Sequence, residues 1–412
     1  MTKAGHAGDD GPNTVFPTNV GCVMVGENYV GQGSHGVGEG AAAKDVEPGK
    51  PVQQKRVIYV GNEMSVFRSH MEIISPTSLG IVNDWDSMEK LWDHAIMERL
   101  RVDPVDTPLL FSEPSINTKE QREKLTELVF EKYKPKGFFV AKEATLSAYA
   151  SGRSTALVVD SGSDMTLTVP VHDGYVLQKS IQRSPFAGSK ITEQLYSSIS
   201  HKLSNSELRP RYMFNKKQGK GKPEIQLIQR TGVTTSYHTY QLKTTLNDLK
   251  ESICRVPEEP YDEGMSITMQ SYELPDGTII QLEKERYKLT DLMFQNISMP
   301  GVISSSIQDM IMNSISSADA DIRKELFGGI IVTGGNTLFK GFAERLQKEV
   351  QNKNPPQMYK LKVISPADSV ERRFSSWIGG SILASLGSFH QMWMSKQEYD
   401  EVGKSLVNLK CP

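Results

Sequence analysis

The sequence predicts an α/β fold of more than one domain. Short apolar runs such as Thr155-Ala-Leu-Val-Val159 and Gly329-Ile-Ile-Val-Thr333 read as buried strands and are interleaved with helix-period stretches. Glycine turns close both runs, at Asp160-Ser161-Gly162-Ser163 and at Gly334-Gly335-Asn336. The chain, at 412 residues, is too long for one small core.

The elements follow in order. Arg56-Val-Ile-Tyr-Val60 is strand-like, and the helical pattern begins at Trp85. Thr118 and Gln121 form a capping box ahead of Leu125, Leu128, Val129 and Tyr133, which share one helix face. The run Thr166–Val171 reaches Tyr175 through Asp173-Gly174, a hairpin signal, and Pro275-Asp276-Gly277 marks another. Ile191, Leu195, Ile199 and Leu203 recur every four residues, as on a buried helix stripe. After Asn336 a helix carries Phe339, Phe342, Ala343, Leu346 and Val350 on one side. In the C-terminal stretch, Gly379 and Gly380 open a run of small and apolar residues suited to packing against another backbone.

Two segments lack periodicity. Gly26–Gln54 is glycine-rich and polar, which predicts a mobile loop. Within Ser204–Tyr237, the basic run Lys216–Lys222 reads first as a solvated loop and second as a patch for DNA phosphate or an acidic partner.

Composition narrows the function classes. The net charge of −2 leaves no global field toward nucleic acid or membrane. The cysteines Cys22, Cys254 and Cys411 are scattered and odd in number, as expected in a reducing compartment. No histidine spacing reads as a zinc site. No apolar run is long enough to span a bilayer, and no signal peptide opens the chain.

The two glycine turns carry the candidate chemistry. At Asp160-Ser161-Gly162, backbone amides can curl round an anion while the carboxylate holds magnesium through water. At Gly334-Gly335, missing side chains let a flat base lie on the backbone. Each turn alone is more often an ordinary turn.

The C-terminal run Glu371-Arg-Arg-Phe-Ser-Ser-Trp-Ile-Gly-Gly-Ser-Ile-Leu-Ala-Ser-Leu-Gly-Ser-Phe389 closely resembles that of actin. So do Met1–Asp10, Ile81–Asp86, Tyr149–Arg153, Val169–Tyr175, Tyr272–Gly277 and Asp321–Arg323, all in the same order over nearly the whole chain. The resemblance implies an actin-like fold, with two lobes of RNase H-like core around a nucleotide cleft. Four subdomains are expected: residues 1–17 with 76–150 and 375–412; 18–75; 151–186 with 303–374; and 187–302. Implied nucleotide-binding positions are Lys3, Asp160, Ser161, Gly162, Lys250, Glu251, Gly334, Gly335 and Arg373, with Asp160 near magnesium through water. Without the resemblance, Lys250 and Glu251 would read as a solvated helix pair.

Three departures from actin bear on activity. The chain opens inside the phosphate hairpin, so the strand carrying the first phosphate loop is expected to be missing. Glu143 stands where actin has a water-positioning glutamine, and a carboxylate accepts but does not donate. Leu167 stands where actin has a histidine, and leucine forms no hydrogen bond. Hydrolysis of ATP depends on positioning, so negligible ATPase activity is expected. ATP with magnesium is then at most a weakly held structural ligand.

Several stretches look more like nuclear actin-related proteins than conventional actin. They include Leu208–Phe214, Lys124–Leu128, Gly152–Thr155, Val171–Gln178, Gly334–Leu338 and Val370–Trp377. The resemblance implies a non-catalytic subunit of SWI/SNF-type chromatin-remodelling and histone acetyltransferase complexes in the nucleus, supporting transcription regulation. Its partners are then actin or another actin-related protein, a helix of the remodeller ATPase, other complex subunits and, indirectly, chromatin. No membrane role is implied. The docking groove is expected at Tyr149, Gly152, Ser154, Gly174, Tyr175, Leu383, Leu386 and Ser388; Leu383 and Leu386 serve equally well as core. The altered loop at Gly26–Gln54 argues against filaments. Two other readings stay open: a conventional actin-like ATPase forming cytoskeletal filaments, against which Glu143 and Leu167 count, and a sugar kinase or chaperone on the same fold, which lacks its substrate acid and first loop here.

Overall fold

The computed structural model describes residues 1–26, 54–203, 208–217, 224–299, 301–354 and 359–412. The glycine-rich segment lies outside them except for Gly26 and Gln54, which end the paired strands Val20–Gly26 and Gln54–Val60. Of the basic run, Lys216 and Lys217 are described. They sit in the strand Phe214–Lys217, which pairs with Glu224–Leu227, so this end of the run is ribbon rather than loop.

Two sheets organise the molecule. In a six-stranded sheet, Ala156–Ser161 lies between Thr166–His172, antiparallel, and Ile330–Thr333, parallel; Val363–Ile364 continues the parallel side. Within it Ala156–Val159 is a continuous apolar run because both its faces are covered. Leu157 and Val159 pack into a large core with Ile191, Leu249 and Phe342, while Ala156 and Val158 pack into a second core with Ala148 and Val169. The other main sheet pairs Leu109–Glu113 parallel with Gly137–Lys142, which meets Met394–Ser395 antiparallel. Its core gathers Phe130, Tyr133, Phe138, Phe389 and Tyr399.

Two helices join these sheets. Glu143–Ala150 leads from Lys142 toward Ala156, and Ser369–Ser385 leads back from Ile364 toward Met394. The second is kinked at Phe374 (φ −118°, ψ 16°). A smaller sheet, with Val20–Gly26 between Gln54–Val60 and Glu72–Ile74, rests on its own core of Phe16, Val20, Val60 and Leu91.

Most expected elements form. The Asp173-Gly174 and Pro275–Gly277 turns join antiparallel strands. Ile191, Leu195 and Ile199 line the buried side of the helix Gly188–Ser200. Two expectations need correction. Thr118 accepts the Gln121 amide at 3.4 Å, but the return arm of a capping box is not made, and Gln121 Oε1 is buried without a partner. Phe339 is buried but precedes the helix Phe342–Lys353, because Gly341 at φ +90° intervenes.

Candidate functional site

The two glycine turns meet. Gly334 has φ +92°, and a Cβ there would stand 2.5 Å from Asp160 Oδ1 and 2.6 Å from the carbonyl carbon of Ser161. Glycine alone admits this approach. Asn336 fastens the junction, donating from Nδ2 to the Gly162 carbonyl at 2.7 Å and to Ser161 Oγ at 3.1 Å. Ser161 Oγ also bonds Thr166 Oγ1 across the hairpin at 2.9 Å.

A third segment completes the turn's surroundings. The start of the helix Gly188–Ser200 docks on it, with the Gly188 amide donating to the Gly162 carbonyl at 3.1 Å and the Ser189 amide to the Ser163 carbonyl at 2.7 Å. Ser189 Oγ donates to Asp164 Oδ1 at 3.0 Å. Lys250 reaches this junction from the helix Thr235–Ile253. Its buried ammonium donates to the Gly188 carbonyl at 3.0 Å, Thr192 Oγ1 at 2.9 Å and Asn247 Oδ1 at 3.2 Å. Burial pushes its pKa down. Three bonds satisfy all three of its donors. Glu251, next along the helix, is exposed.

Lys3 and Arg373 are neighbours. Lys3 Nζ donates to the Arg373 carbonyl at 3.1 Å and lies 5.5 Å from the Phe374 ring centre, while the Arg373 side chain is exposed. It is Arg372 that braces the second turn, donating to the Thr337 carbonyl at 2.7 Å.

Glu143 and Leu167 lie with Asp160 around a cavity of about 10 Å³, lined also by Ser115, Ser147, Val158 and Val169. That is room for a single water molecule. Leu167 sits directly across the hairpin from Asp160 and contributes an apolar wall. Burial, and then the Asp160 charge, push the Glu143 carboxyl up to about 7. Burial also raises Asp160, partly opposed by Lys3.

The nucleoside end of a nucleotide fits what is present: bare backbone at Gly334 and Gly335, with exposed Arg373 and Glu251 for polar contact. A Cβ at Gly335 would meet nothing within 4 Å. About the Asp160 turn stand the acids Glu143, Asp160 and Asp164, with the Lys3 charge opposing the rise at Asp160, while the Lys250 ammonium is engaged by protein oxygens. Among the described residues, no group of three or more His, Cys, Asp or Glu is placed to hold a metal ion.

The expected groove residues form two sets. Tyr149, Ser154, Gly174 and Tyr175 belong together. The Gly174 amide donates to the Ser154 carbonyl at 2.8 Å, and Thr145 Oγ1 donates to the Gly174 carbonyl at 3.0 Å. A Cβ on Gly174 would collide with the Tyr149 hydroxyl. Burial and the nearby Tyr175 raise the Tyr149 pKa. Leu383 packs partly into the core, whereas Leu386, 48% exposed, and exposed Ser388 follow in the turn beyond the helix Ser369–Ser385. Tyr175 is 59% exposed and Gly152 is exposed.

Sequence reasoning missed Gly188, Thr192, Asn247 and Asn336 as the residues that hold the turns together. The Gly188 signal was present, a glycine opening a helix just after the hairpin. The partners of Lys250 left no mark, since a buried lysine and an exposed one look alike in one chain.

A family model described as Actin matches residues 1–412. Among curated proteins, one called "Actin-related protein 4" from Oryza sativa subsp. indica is 44% identical over 430 residues, covering 100% of this chain and 96% of that protein. A protein of the same name from Arabidopsis thaliana is 42% identical over 425 residues, again covering 100% and 96%.

Proposed function

The chain belongs to the actin family, and from that premise we propose that it is a non-catalytic nuclear subunit of chromatin-remodelling and histone acetyltransferase complexes. The observation that carries the non-catalytic reading is the wall of the Asp160 cavity. Leu167 and Glu143 line it, and Leu167 can neither donate nor accept a hydrogen bond to aim a water. The scaffold reading rests on full-length likeness to proteins called actin-related protein 4 and on a surface with exposed Tyr175 and Leu386.

In this reading the groove takes an apolar face of a long helix from the remodeller ATPase, beside actin or another actin-related protein. Tyr175 and Leu386 supply exposed apolar area, and the small residues Gly152 and Ser154 keep the floor low. Nucleotide is a weak structural ligand at most, held at its nucleoside end by Gly334, Gly335 and Arg373. Through that bound group the chain would gain rigidity rather than chemistry.

Capture of the purified chain on an immobilised remodeller-ATPase helix, with actin present, tests this. Tyr175→Asp and Leu386→Asp each weaken capture by about tenfold, with the urea midpoint unchanged. Equal capture by both variants sinks the groove reading. Magnesium-dependent ATP turnover by the wild type above that of Asp160→Asn sinks the non-catalytic one.

A further inference from the structure

Residues 256–269 lie between the helix Thr235–Ile253 and the strand Gln270–Glu273 and form no helix or strand of their own. Their sequence is acidic about one tyrosine, reading Glu258-Glu259-Pro260-Tyr261-Asp262-Glu263. The same Tyr-Asp-Glu order recurs at Tyr399-Asp400-Glu401. The fold treats the two tyrosines differently. Tyr399 is 7% exposed, with its ring stacked on Phe130 at 4.5 Å inside a core. Tyr261 is only partly covered, and Glu258, Glu259, Asp262 and Glu263 around it are exposed.

The backbone leading to Tyr261 is held from beneath. Buried Arg345, paired with buried Asp291 at 2.9 Å, donates to the Pro257 and Glu259 carbonyls at 3.0 and 2.9 Å. Asp291 Oδ2 in turn accepts the Tyr261 amide at 3.2 Å. The phenol is therefore carried at a set place on the surface. Its hydroxyl donates to Glu263 Oε2 at 3.0 Å. Glu263 Oε1 lies 2.7 Å from Lys288 Nζ. Lys284 Nζ lies 3.5 Å from Glu263 Oε2 and donates to the Glu263 carbonyl at 2.6 Å. The bonds from Lys288 and then Tyr261 hold the Glu263 carboxyl down at about 2. Lys284 and Lys288, four residues apart, share one side of the turn that opens the helix Glu285–Asp291. An anion bridged between a phenol and two ammonium groups thus occupies the space next to the hydroxyl.

We propose that Tyr261 is a phosphorylation site, and that its phosphate takes the place of the Glu263 carboxylate between Lys284 and Lys288. The donor is ATP bound to a protein kinase that acts on tyrosine. Tyr261 Oη attacks the γ-phosphorus, the bond from that phosphorus to the ADP oxygen breaks, and the phenolic proton passes to the kinase's carboxylate base. The exposed acids Glu258, Glu259, Asp262 and Glu263 give the segment a charge that complements a kinase with a basic substrate surface. The product carries a charge of about −1.5 to −2 where the carboxylate carried a single one, so the phosphate outcompetes Glu263 for the two lysines. Glu263, together with Asp262 and Glu285 nearby, is repelled by it and leaves the lysines. The proposal concerns the free chain and stands apart from the scaffold reading.

Treatment of the folded full chain with an acid-directed tyrosine kinase domain and ATP, read by mass spectrometry, tests the site. Tyr261 takes phosphate at least about tenfold faster than Tyr399, which is reached only by local opening of the core. Tyr261→Phe removes that incorporation, and Glu258→Lys with Glu259→Lys slows it about tenfold with the urea midpoint unchanged. A phosphorus NMR titration of the phosphorylated chain tests the exchange of partners. The second ionisation of the phosphate lies at least about half a unit higher in Lys284→Ala with Lys288→Ala than in the wild type, because the ammonium groups favour the dianion. Phosphate at Tyr399 as fast as at Tyr261, or none at Tyr261, overturns the proposal. A phosphate ionisation unmoved by the lysine substitutions overturns the bridge to Lys284 and Lys288.

Discussion

Gly379 lies against the backbone of Leu146, where the two sheet-joining helices cross. A Cβ on Gly379 would stand 2.5 Å from the Leu146 carbonyl carbon and 3.0 Å from its Cα, and closer still to the carbonyl oxygen. The obstacle is main chain, so no rotamer change relieves it. The neighbouring Gly380 differs, because a Cβ there would meet Leu110 Cδ2 at 3.3 Å and Leu146 Cδ1 at 3.7 Å, both mobile side-chain ends. Gly379→Ala is therefore expected to cost about 3 kcal/mol or more by prying the helices apart. Gly380→Ala gains helix propensity worth up to about 1 kcal/mol and stays near the wild type. Urea midpoints decide it, and equal losses for both variants would show that the crossing is not backbone-limited.

Lys250 ties three protein oxygens together. Its ammonium is buried, and Gly188, Thr192 and Asn247 take all three donors. Lys250→Met keeps the aliphatic stem and leaves those acceptors short of a partner. The expected loss in nucleotide-free protein is about 1–3 kcal/mol. A urea midpoint equal to the wild type would mean the amine is released easily and free to serve a ligand.

The sheet-forming pattern was readable because it is local. Ala156–Ser161 buries both faces, so its apolar residues run without a break, and Asp173-Gly174 supplies the turn that pairs Val171 with Val176. The packing role of Gly379 was readable because paired glycines in an apolar run admit few other uses. The cap at Thr118 was half readable: the side chain that takes the Gln121 amide shows in the sequence, but whether Gln121 returns the bond depends on its tertiary surroundings. The site was readable as two turns and opaque as a junction. Asn336 reaches Gly162 across 174 positions of chain, and Phe67 reaches Tyr212 over a comparable gap; nothing in either local pattern records such a meeting.

Glu113 shows the same opacity at higher stakes. It reads as the end of a strand, yet it is buried and neutralises two buried cations. Arg122 Nε is 2.8 Å and Lys142 Nζ 2.7 Å from its Oε1, and Asn117 donates to Oε2 at 2.9 Å. Arg122 also bonds the Cys411 carbonyl, which fixes the C-terminal helix to the core. Burial pulls the Lys142 pKa down, and Glu113 opposes that fall. Glu113→Ala leaves both cations uncompensated, with an expected cost of about 3–5 kcal/mol. Exchange at Cys411 should rise with it. Loss of stability without faster exchange there would separate the ion cluster from the C-terminal anchorage.

Glu143 makes stability depend on pH. Its carboxyl titrates at about 7 in the folded chain, against a reference of 4.5, because burial and then the Asp160 charge disfavour the ionised form. The folded state thus binds this proton more tightly than the unfolded state. The stabilisation is fully present below about pH 4.5 and is lost as pH rises through 7. Glu143→Gln removes the titration and keeps the shape. The variant should exceed the wild type at pH 8 by on the order of 1–3 kcal/mol, and the gap should close as pH falls toward 4.5. Urea titrations across that range, in chelator-treated and nucleotide-free protein, measure the gap directly. A difference constant with pH would mean that the carboxylate finds a cationic partner on ionising, and that the Asp160 cavity opens to admit one.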